Sequence, residues 1–319
     1  MPQRIPVAVL FVVLTIICAP QSTLAEAGHS QKAILVTGAS TGIGRMIAET
    51  LAADGHFVYA GARKQADLDA LNEIPNIQAV RLDVTKQDEI DAAVETVRKG
   101  GKGLYGVINN AGVITMGPLA EIDEGDMQWI FDINVMGVYR ITKAFAPMIK
   151  ESKGRIVNIS SIAGVLTAPF WGPYSMSKHA LEAYSDALAS EMAIFDVKVS
   201  SVNPGNFNSK IGSKEADKLA KQPFAQEGSP YAELAAERVE YLRDRSMHKE
   251  PVAVAAAVSD ALFSDSPKPN YMVTPNQPEA AATIGRMLEE MAEFNADQEF
   301  SYTDDELVEM LKAATAAQN

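Results

Sequence analysis

The stretch Tyr174-Ser175-Met176-Ser177-Lys178 places a phenol and an ammonium group four residues apart in a segment with helical periodicity. Residues at this spacing lie on one face of an α-helix, so both side chains can reach a single ligand. A phenol has an ordinary pKa of about 10 and is a poor base at neutral pH, but a nearby positive charge stabilises its phenolate form. The pair could therefore exchange a proton with an alcohol or a carbonyl group, if other elements bring one to it.

A glycine-rich junction offers a place for a cofactor. It follows a run of β-branched and apolar residues, "AILVTGAS", and precedes "IGRMIAETLAADG", which has helical spacing. Glycines at a strand–helix junction let the backbone approach a pyrophosphate, and the start of the helix supplies free N–H donors. The predicted phosphate-binding residues are Gly38, Ser40, Thr41, Gly42, Ile43 and Gly44.

The end of the second predicted strand, "HFVYAGAR", indicates which dinucleotide binds. An acid at this position accepts a hydrogen bond from the 2′-hydroxyl of NAD, whereas an arginine pairs with the 2′-phosphate of NADP. The chain has Arg63 followed by Lys64 there, and no acid. The sequence therefore favours NADP over NAD.

Strands and helices alternate along most of the chain. Further apolar runs, "IQAVRLDV", "LYGVINNAG", "GRIVNISSIAG" and "VKVSSVNPG", are separated by helical segments, including one predicted over 125–150 and one over 174–195. This alternation predicts an α/β fold with a doubly wound parallel sheet. Residues 28–319 are predicted to form one domain, with a polar substrate-binding insert at 205–250, a last short strand at "NYMVT" and an acidic helical tail at 275–319.

Composition excludes several classes of partner. The chain has 319 residues, 47% hydrophobic residues and a formal net charge of −13. A protein this acidic repels nucleic-acid phosphates and anionic lipid surfaces, so we expect a small-molecule substrate and no nucleic acid. The four histidines show no metal-ligand spacing, and the single cysteine, Cys18, precedes the predicted domain. No metal site is predicted.

Residues 1–27 differ in kind from the rest. Arg4 precedes an apolar run over 7–19, and small residues follow at Thr23, Ala25 and Ala27. This order is typical of a secretory signal peptide, and the run is short for a membrane span of about 20 residues. We expect export to a periplasm or lumen, or anchoring, with membrane contact through this segment alone; if the segment is not used, the protein is cytoplasmic.

Taken together, the motifs resemble those of the short-chain dehydrogenase/reductase family. They are TGASTGIG, NNAG at 109–112, DINVMG around Asn134, VNISS at 157–161, YSMSK at 174–178 and NPG at 203–205. Six motifs in this order over about 32–205 are specific. The resemblance implies a single Rossmann domain, a nicotinamide cofactor and assembly as a homodimer or homotetramer.

The resemblance also implies roles for individual residues. The catalytic set would be Asn134, Ser161, Tyr174 and Lys178, with Ser161 chosen over Ser160 by its distance from the tyrosine along the chain. Further cofactor contacts would come from Asp83, Asn110, Tyr174, Lys178, Pro204 and Gly205. Ser209 stands where the family often has threonine.

These features predict an NADP-preferring oxidoreductase that interconverts an alcohol and a carbonyl. The "YAGARK" strand end and the long insert resemble members that handle retinoids or steroids, so a bulky apolar substrate is favoured. Five large side chains either line an apolar pocket or simply pack in the core: Met116, Phe170, Trp171, Phe207 and Phe224. Two alternatives remain at this point, a cofactor-binding sensor or scaffold without turnover, and a sugar-nucleotide epimerase or dehydratase.

Overall fold

The computed structural model describes residues 31–209, 211–244 and 248–316. The predicted signal or anchor segment, residues 1–27, lies outside the described residues. The strands are β1 (Ala33–Val36), β2 (Phe57–Ala62), β3 (Ile77–Arg81), β4 (Gly106–Asn109), β5 (Arg155–Ile159), β6 (Lys198–Pro204) and β7 (Asn270–Val273). The α-helices are α1 (Gly42–Ala53), α2 (Gln65–Asn72), α3 (Gln87–Gly100), α4 (Glu124–Phe131), α5 (Val138–Ser152), α6 (Gly172–Met192), α7 (Ser213–Leu219), α8 (Ala232–Arg243), α9 (Val252–Phe263), α10 (Gln277–Asn295) and α11 (Asp304–Ala316).

The seven strands form one parallel sheet in the order β3-β2-β1-β4-β5-β6-β7. The predicted doubly wound α/β fold is therefore confirmed. Alternate residues of a strand face opposite sides of a sheet. In β1, Ile34 and Val36 join a core with α1 and α9, whereas Ala33 and Leu35 join a core with α3 and α5. Burial on both faces explains why the strands are continuous apolar runs.

The segment 125–150, predicted as one helix, is divided. A π-helical turn over Asp132–Gly137 separates α4 from α5. The predicted insert contains α7 and α8, and the predicted tail contains α10 and α11. At the start of α11, the Thr303 hydroxyl and backbone N–H both donate to Glu306, as the capping-box pattern predicts.

No helix among residues 31–209, 211–244 and 248–316 combines the length and the hydropathy needed to span a bilayer.

Candidate active site

The glycine-rich loop lies where the strand order reverses. Strands β1 and β4 are neighbours, but the chain proceeds from β1 to β2 on one side and from β4 to β5 on the other. Loops leaving the carboxyl ends of two such strands diverge and open a crevice. The loop after β1 and the NNAG loop after β4 form its walls, and α1 begins at its floor.

Close packing between the two loops explains why the glycine-rich loop has glycine at positions 38 and 44. A Cβ on Gly44 would lie 2.3 Å from Asn110 Nδ2 and 2.4 Å from the Gly38 carbonyl oxygen, and Gly38 has a φ of +65°. The Asn110 amide donates to the carbonyls of Thr37 (2.9 Å) and Gly38 (3.1 Å). Asn110 therefore holds the two loops together. No side chain among the described residues caps the start of α1 after Thr41, so its first-turn N–H groups face the crevice as donors.

Arg63 and Asp83 lie at the ends of β2 and β3. The Arg63 guanidinium is 3.7 Å from the Asp83 carboxylate, and its side chain is 63% exposed. Burial acts to raise the pKa of Asp83, but hydrogen bonds from the Thr85 N–H and hydroxyl, with the charges of Arg63 and Lys86, outweigh it and hold the pKa below its usual range. Because Asp83 has these other partners, Arg63 can turn toward a ligand at small cost.

Helix α6 carries Tyr174 and Lys178 on one face, as their spacing predicts. The Lys178 Nζ lies 5.7 Å from the centre of the Tyr174 ring and donates to the Ile159 carbonyl at 2.9 Å. Ser161 follows β5, where its Oγ accepts from the Ala163 N–H (3.1 Å) and is also hydrogen-bonded to the Tyr174 hydroxyl. The strand end and the helix thus bring the serine, the tyrosine and the lysine together.

Burial dominates the electrostatics of the pair. It raises the pKa of Tyr174 to about 12, against a lowering by the Ser161 hydrogen bond and a further raising by nearby Tyr241. Burial also lowers the pKa of Lys178 to about 8, although Glu182 acts in the opposite direction. Burial of the phenolate therefore sets the direction of the Tyr174 shift. That positive charge from Lys178 and a nicotinamide ring lowers this pKa stays a prediction.

Asn134 occupies the π-helical turn. Its Oδ1 accepts from the Val113 N–H at 2.8 Å, and its Nδ2 donates to the Val113 carbonyl (2.9 Å) and to the Ser177 hydroxyl (3.0 Å). All of its polar atoms are thus used within the protein, and Asn134 joins the loop after β4 to α6. Asn134 does not line the cavity, so its membership of the catalytic set stays a prediction.

A cavity of about 840 Å³ contains the remaining predicted residues. Those that line it are Gly38, Ser40, Thr41, Gly42, Ile43, Gly44, Arg63, Asp83, Asn110, Ser161, Tyr174, Lys178, Pro204 and Gly205, together with Ser209. Its volume lies within the range of small-molecule and cofactor sites, about 300–1,000 Å³. The cavity extends from Arg63 past the glycine-rich loop to Tyr174, so an elongated ligand would fit it.

Comparison with known proteins identifies the family. Residues 32–220, more than half of the chain, match the family model for short chain dehydrogenases. The chain is a short-chain dehydrogenase. The resemblance drawn from its motifs is thereby confirmed.

Three curated relatives have different named substrates. The short-chain dehydrogenase described here is 34% identical over 263 residues to a mitochondrial D-beta-hydroxybutyrate dehydrogenase of Bos taurus, covering 75% of this chain and 76% of that protein. It is 34% identical over 253 residues to an NADPH-dependent 3-dehydrocapnine reductase of Ornithobacterium rhinotracheale, with coverage of 76% and 88%. It is 35% identical over 189 residues to human retinol dehydrogenase 16, with coverage of 58% and 59%.

Solved structures agree with this assignment. A short-chain dehydrogenase from Streptomyces avermitilis has a TM-score of 0.69 and 32% identity, and the match covers 83% of this chain and 95% of that one. A short-chain dehydrogenase/reductase from Burkholderia phymatum, solved in complex with NAD, has a TM-score of 0.70 and 26% identity, with coverage of 85% and 98%. The chain therefore shares the family's fold and its general reaction, alcohol and carbonyl oxidoreduction with NAD or NADP.

The five large side chains considered for an apolar pocket have separate positions. Trp171 and Phe207 line the cavity of this short-chain dehydrogenase. Met116, Phe170 and Phe224 are buried in a cluster beneath the insert and pack against α7 and α8. These three residues therefore pack in the core and do not line the cavity.

Several lining residues were not singled out from the sequence. Lys214 on α7, and Arg238 and Tyr241 on α8, also line the cavity, and Tyr241 lies close enough to Tyr174 to act on its pKa. They lie in the polar insert, where the sequence shows no periodic apolar pattern that would indicate which residues face inward, and no motif includes them. The spacing of Arg238 and Tyr241, three residues apart on a helix, is the one signal that places both on a common face.

Glu215 links α7 to the loop after β4. Its carboxylate is 5% exposed and accepts from the Met116 N–H at 2.9 Å. Burial raises its pKa to about 7, while the Met116 hydrogen bond and Lys218 act to lower it and Asp126 raises it. Because the folded state holds the proton above the usual pKa of 4.5, the Glu215 contribution to stability is largest below that value and is lost as pH rises through about 7.

Replacing Glu215 by Gln should remove this titration and leave an acceptor for Met116. The free energy of unfolding of Glu215→Gln, relative to wild type, should rise by about 2–3 kcal/mol between roughly pH 5 and pH 8. Urea denaturation at both pH values measures it, with Glu233→Gln, an exposed change on α8, as the control. Parallel wild-type and Glu215→Gln profiles would show that Glu215 does not titrate in this range.

Proposed function

We propose that this protein is an NADP-preferring oxidoreductase that interconverts an alcohol and a carbonyl, with Tyr174 as the general acid and base. The observation that carries the proposal is the convergence of Tyr174, Ser161 and Lys178 in one cavity with the glycine-rich loop. A proton-transfer group at one end of the cavity and a phosphate-binding loop along its length suit a dinucleotide cofactor that spans both.

The residues present fit a nicotinamide dinucleotide. Gly38 and Gly44 let the loop pack tightly, because a Cβ at either position would lie within 3.0 Å of neighbouring protein atoms. This packing leaves the uncapped start of α1 facing the cavity, where a pyrophosphate can accept from its N–H groups. When bound, the cofactor supplies or accepts a hydride at the reacting carbon of the substrate. The glycine-rich loop would hold its pyrophosphate, and Pro204 and Gly205 lie at the Tyr174 end, where the reactive ring is expected.

Three side chains of the protein would bind the substrate oxygen and transfer a proton to it. Ser161 is positioned to hold the substrate oxygen beside the Tyr174 hydroxyl, to which it is hydrogen-bonded. A Tyr174 with a pKa of about 12 keeps its proton at neutral pH, so it is ready to protonate the oxygen during carbonyl reduction. Lys178, buried one helical turn away, places a positive charge beside the phenolate that this transfer leaves.

The NADP preference rests on Arg63 and Lys64, which line the far end of the cavity. The named relatives and neighbours include proteins associated with NADPH and with NAD, so the family alone does not choose. An exposed guanidinium at the end of β2 with one weak ion pair is free to bind a 2′-phosphate.

Arg63→Glu should raise the KM for NADPH by roughly 10- to 100-fold and change the KM for NADH much less, because a charged hydrogen bond to the phosphate is replaced by repulsion. Steady-state kinetics with both cofactors measure this. Lys99→Glu makes the same charge reversal at an exposed position on α3 outside the cavity lining and serves as the control. Equal changes in both KM values would refute the NADP assignment.

The proposed substrate has a bulky apolar body. Leu166, Trp171, Phe207 and Ile211 line the cavity around Tyr174, and one relative is named for retinol. Incubating the purified protein with NADPH or NADH and a panel of ketones, while following absorbance of the reduced cofactor, tests the function. A sensor or scaffold would bind the cofactor without turnover, and an epimerase would retain it without net oxidation.

Export or anchoring through residues 1–27, and assembly as a homodimer or homotetramer, stay predictions. Mass spectrometry of the mature N-terminus distinguishes cleavage after Ala25 or Ala27 from retention of the segment. Light scattering on the purified protein measures the assembly.

A further inference from the structure

The Tyr174 end of the cavity contains a cation whose Nε has no hydrogen-bond partner among the described residues. Arg238, on α8, lines the cavity, and its Nε is buried with no hydrogen-bond acceptor among the described residues. A buried guanidinium N–H that lacks an acceptor costs free energy, because it has lost water and gained nothing. Such a group at a cavity wall is explained if a ligand supplies the acceptor.

Neighbouring rings place Arg238 close to the reacting end. Tyr241 lies three residues further along α8, and so on the same face as Arg238. The Tyr241 ring packs edge-on against Trp171 with centroids 6.0 Å apart, and Trp171 packs in the same way against Tyr174 at 6.0 Å. Arg238 is therefore about one helical turn from a ring cluster that includes the proposed acid.

The charge at this end is positive. Lys214 on α7 also lines the cavity, whereas Asp67 and Asp83 are the only acids among the described lining residues. Asp83 pairs with Arg63, and Asp67 lies in the first turn of α2, four residues after Arg63. Strand β2 is three strand spacings from β5, or about 14 Å, so these acids lie at the other end of the cavity.

We propose that the substrate carries a carboxylate, which Arg238 binds through Nε and a terminal nitrogen, with Lys214 adding a second positive charge. This inference rests on the proposed function and names its substrate class, a hydroxy or oxo carboxylate with an apolar body. A carboxylate matches the planar fork of a guanidinium, which offers two parallel donors. In the reduction, the carbonyl carbon of the substrate gains the hydride and the carbonyl oxygen gains the Tyr174 proton. The carboxylate takes no part in these bond changes and only orients the substrate.

The test compares straight-chain oxo carboxylates with their methyl esters, which keep the body and lose the charge. With wild type, kcat/KM should favour the acid over its ester. Arg238→Met should lower this acid-to-ester ratio by roughly 10- to 100-fold, as expected for the loss of a charged hydrogen bond. Arg238→Lys keeps the positive charge but loses the paired N–H donors of the guanidinium, so its acid-to-ester ratio of kcat/KM should lie between those of wild type and Arg238→Met. Thermal denaturation checks that each variant is folded.

A binding measurement separates this inference from the proposed function. Calorimetry with a saturated fatty carboxylate, which cannot be reduced, should show weaker binding to Arg238→Met than to wild type. Arg243→Met is the control, since Arg243 lies on the same helix, is exposed and pairs with Asp217 at 3.0 Å. Absence of turnover on acids and esters alike, with charge-dependent binding intact, would refute the proposed function alone. An unchanged acid-to-ester ratio in Arg238→Met, or an equal loss of NADPH affinity, would overturn the carboxylate site.

Discussion

Replacing Tyr174 by Phe is expected to lower kcat by roughly 10²- to 10⁴-fold, the usual contribution of a positioned general acid or base. The ring remains, so its edge-on contact with Trp171 persists and only the hydroxyl bonded to Ser161 is lost. Affinity for NADPH should change little, because the glycine-rich loop and Arg63 are untouched. Steady-state kinetics for kcat, with fluorescence titration for the cofactor Kd, measure the two effects separately.

The matched control is Tyr184→Phe. Tyr184 lies on the same helix, α6, but outside the cavity lining, and its hydroxyl is bonded to Thr142. This change removes the same atom and should leave kcat within a few-fold of wild type. Comparable losses of kcat in both variants would mean that α6 has been perturbed as a whole, and a Tyr174→Phe enzyme with more than a few per cent of wild-type turnover would exclude Tyr174 as the acid.

Replacing Gly44 by Ala should remove cofactor binding and destabilise the fold. The added methyl would meet Asn110 Nδ2 at 2.3 Å and the Gly38 carbonyl oxygen at 2.4 Å, and the second contact is with backbone, which cannot swing aside. We expect a free-energy loss of about 1–3 kcal/mol from overpacking. We also expect the Kd for NADPH to rise by at least about 100-fold, because the loop and the start of α1 move apart.

Gly285→Ala provides the comparison. Gly285 lies on α10, and a Cβ built there meets no atom within 4 Å. The same substitution should therefore raise stability by at most about 1 kcal/mol, as alanine favours a helix, and should leave the Kd unchanged. Urea denaturation and calorimetric titration of both variants measure these effects. Normal NADPH affinity in Gly44→Ala would show that this loop does not hold the pyrophosphate.

Local patterns made much of the fold and site predictable. The strands are buried on both faces, so each appears as a short apolar run, and the glycine-rich junction follows directly from the first of them. Tyr174 and Lys178 could be paired because helical spacing fixes which residues share a face. Each of these inferences needs only a few neighbouring residues.

Other features of the fold and the site depend on contacts between residues distant in sequence and could not be predicted from local patterns. The π-helical turn at Asn134 closes its bonds with Val113 and Ser177, which are distant in sequence, so 125–150 was predicted as one helix. The direction of the Tyr174 pKa shift depends on how deeply its hydroxyl is buried, which the neighbouring sequence does not determine. The role proposed for Arg238 depends on the packing of α8 against the cavity, because nothing in its own sequence segment distinguishes it from a solvated charge.

Transfer of a deuterium label tests the central claim most directly. NADPH deuterated at the transferable position of its nicotinamide ring is incubated with the protein and the ketone and oxo carboxylate panel, and the products are analysed by mass spectrometry. The proposed chemistry predicts deuterium on the carbinol carbon of an alcohol product with wild type, and a loss of labelled product in Tyr174→Phe that matches its loss of kcat. A wild-type protein that binds NADPH yet leaves all of the label on the cofactor with every carbonyl would contradict it.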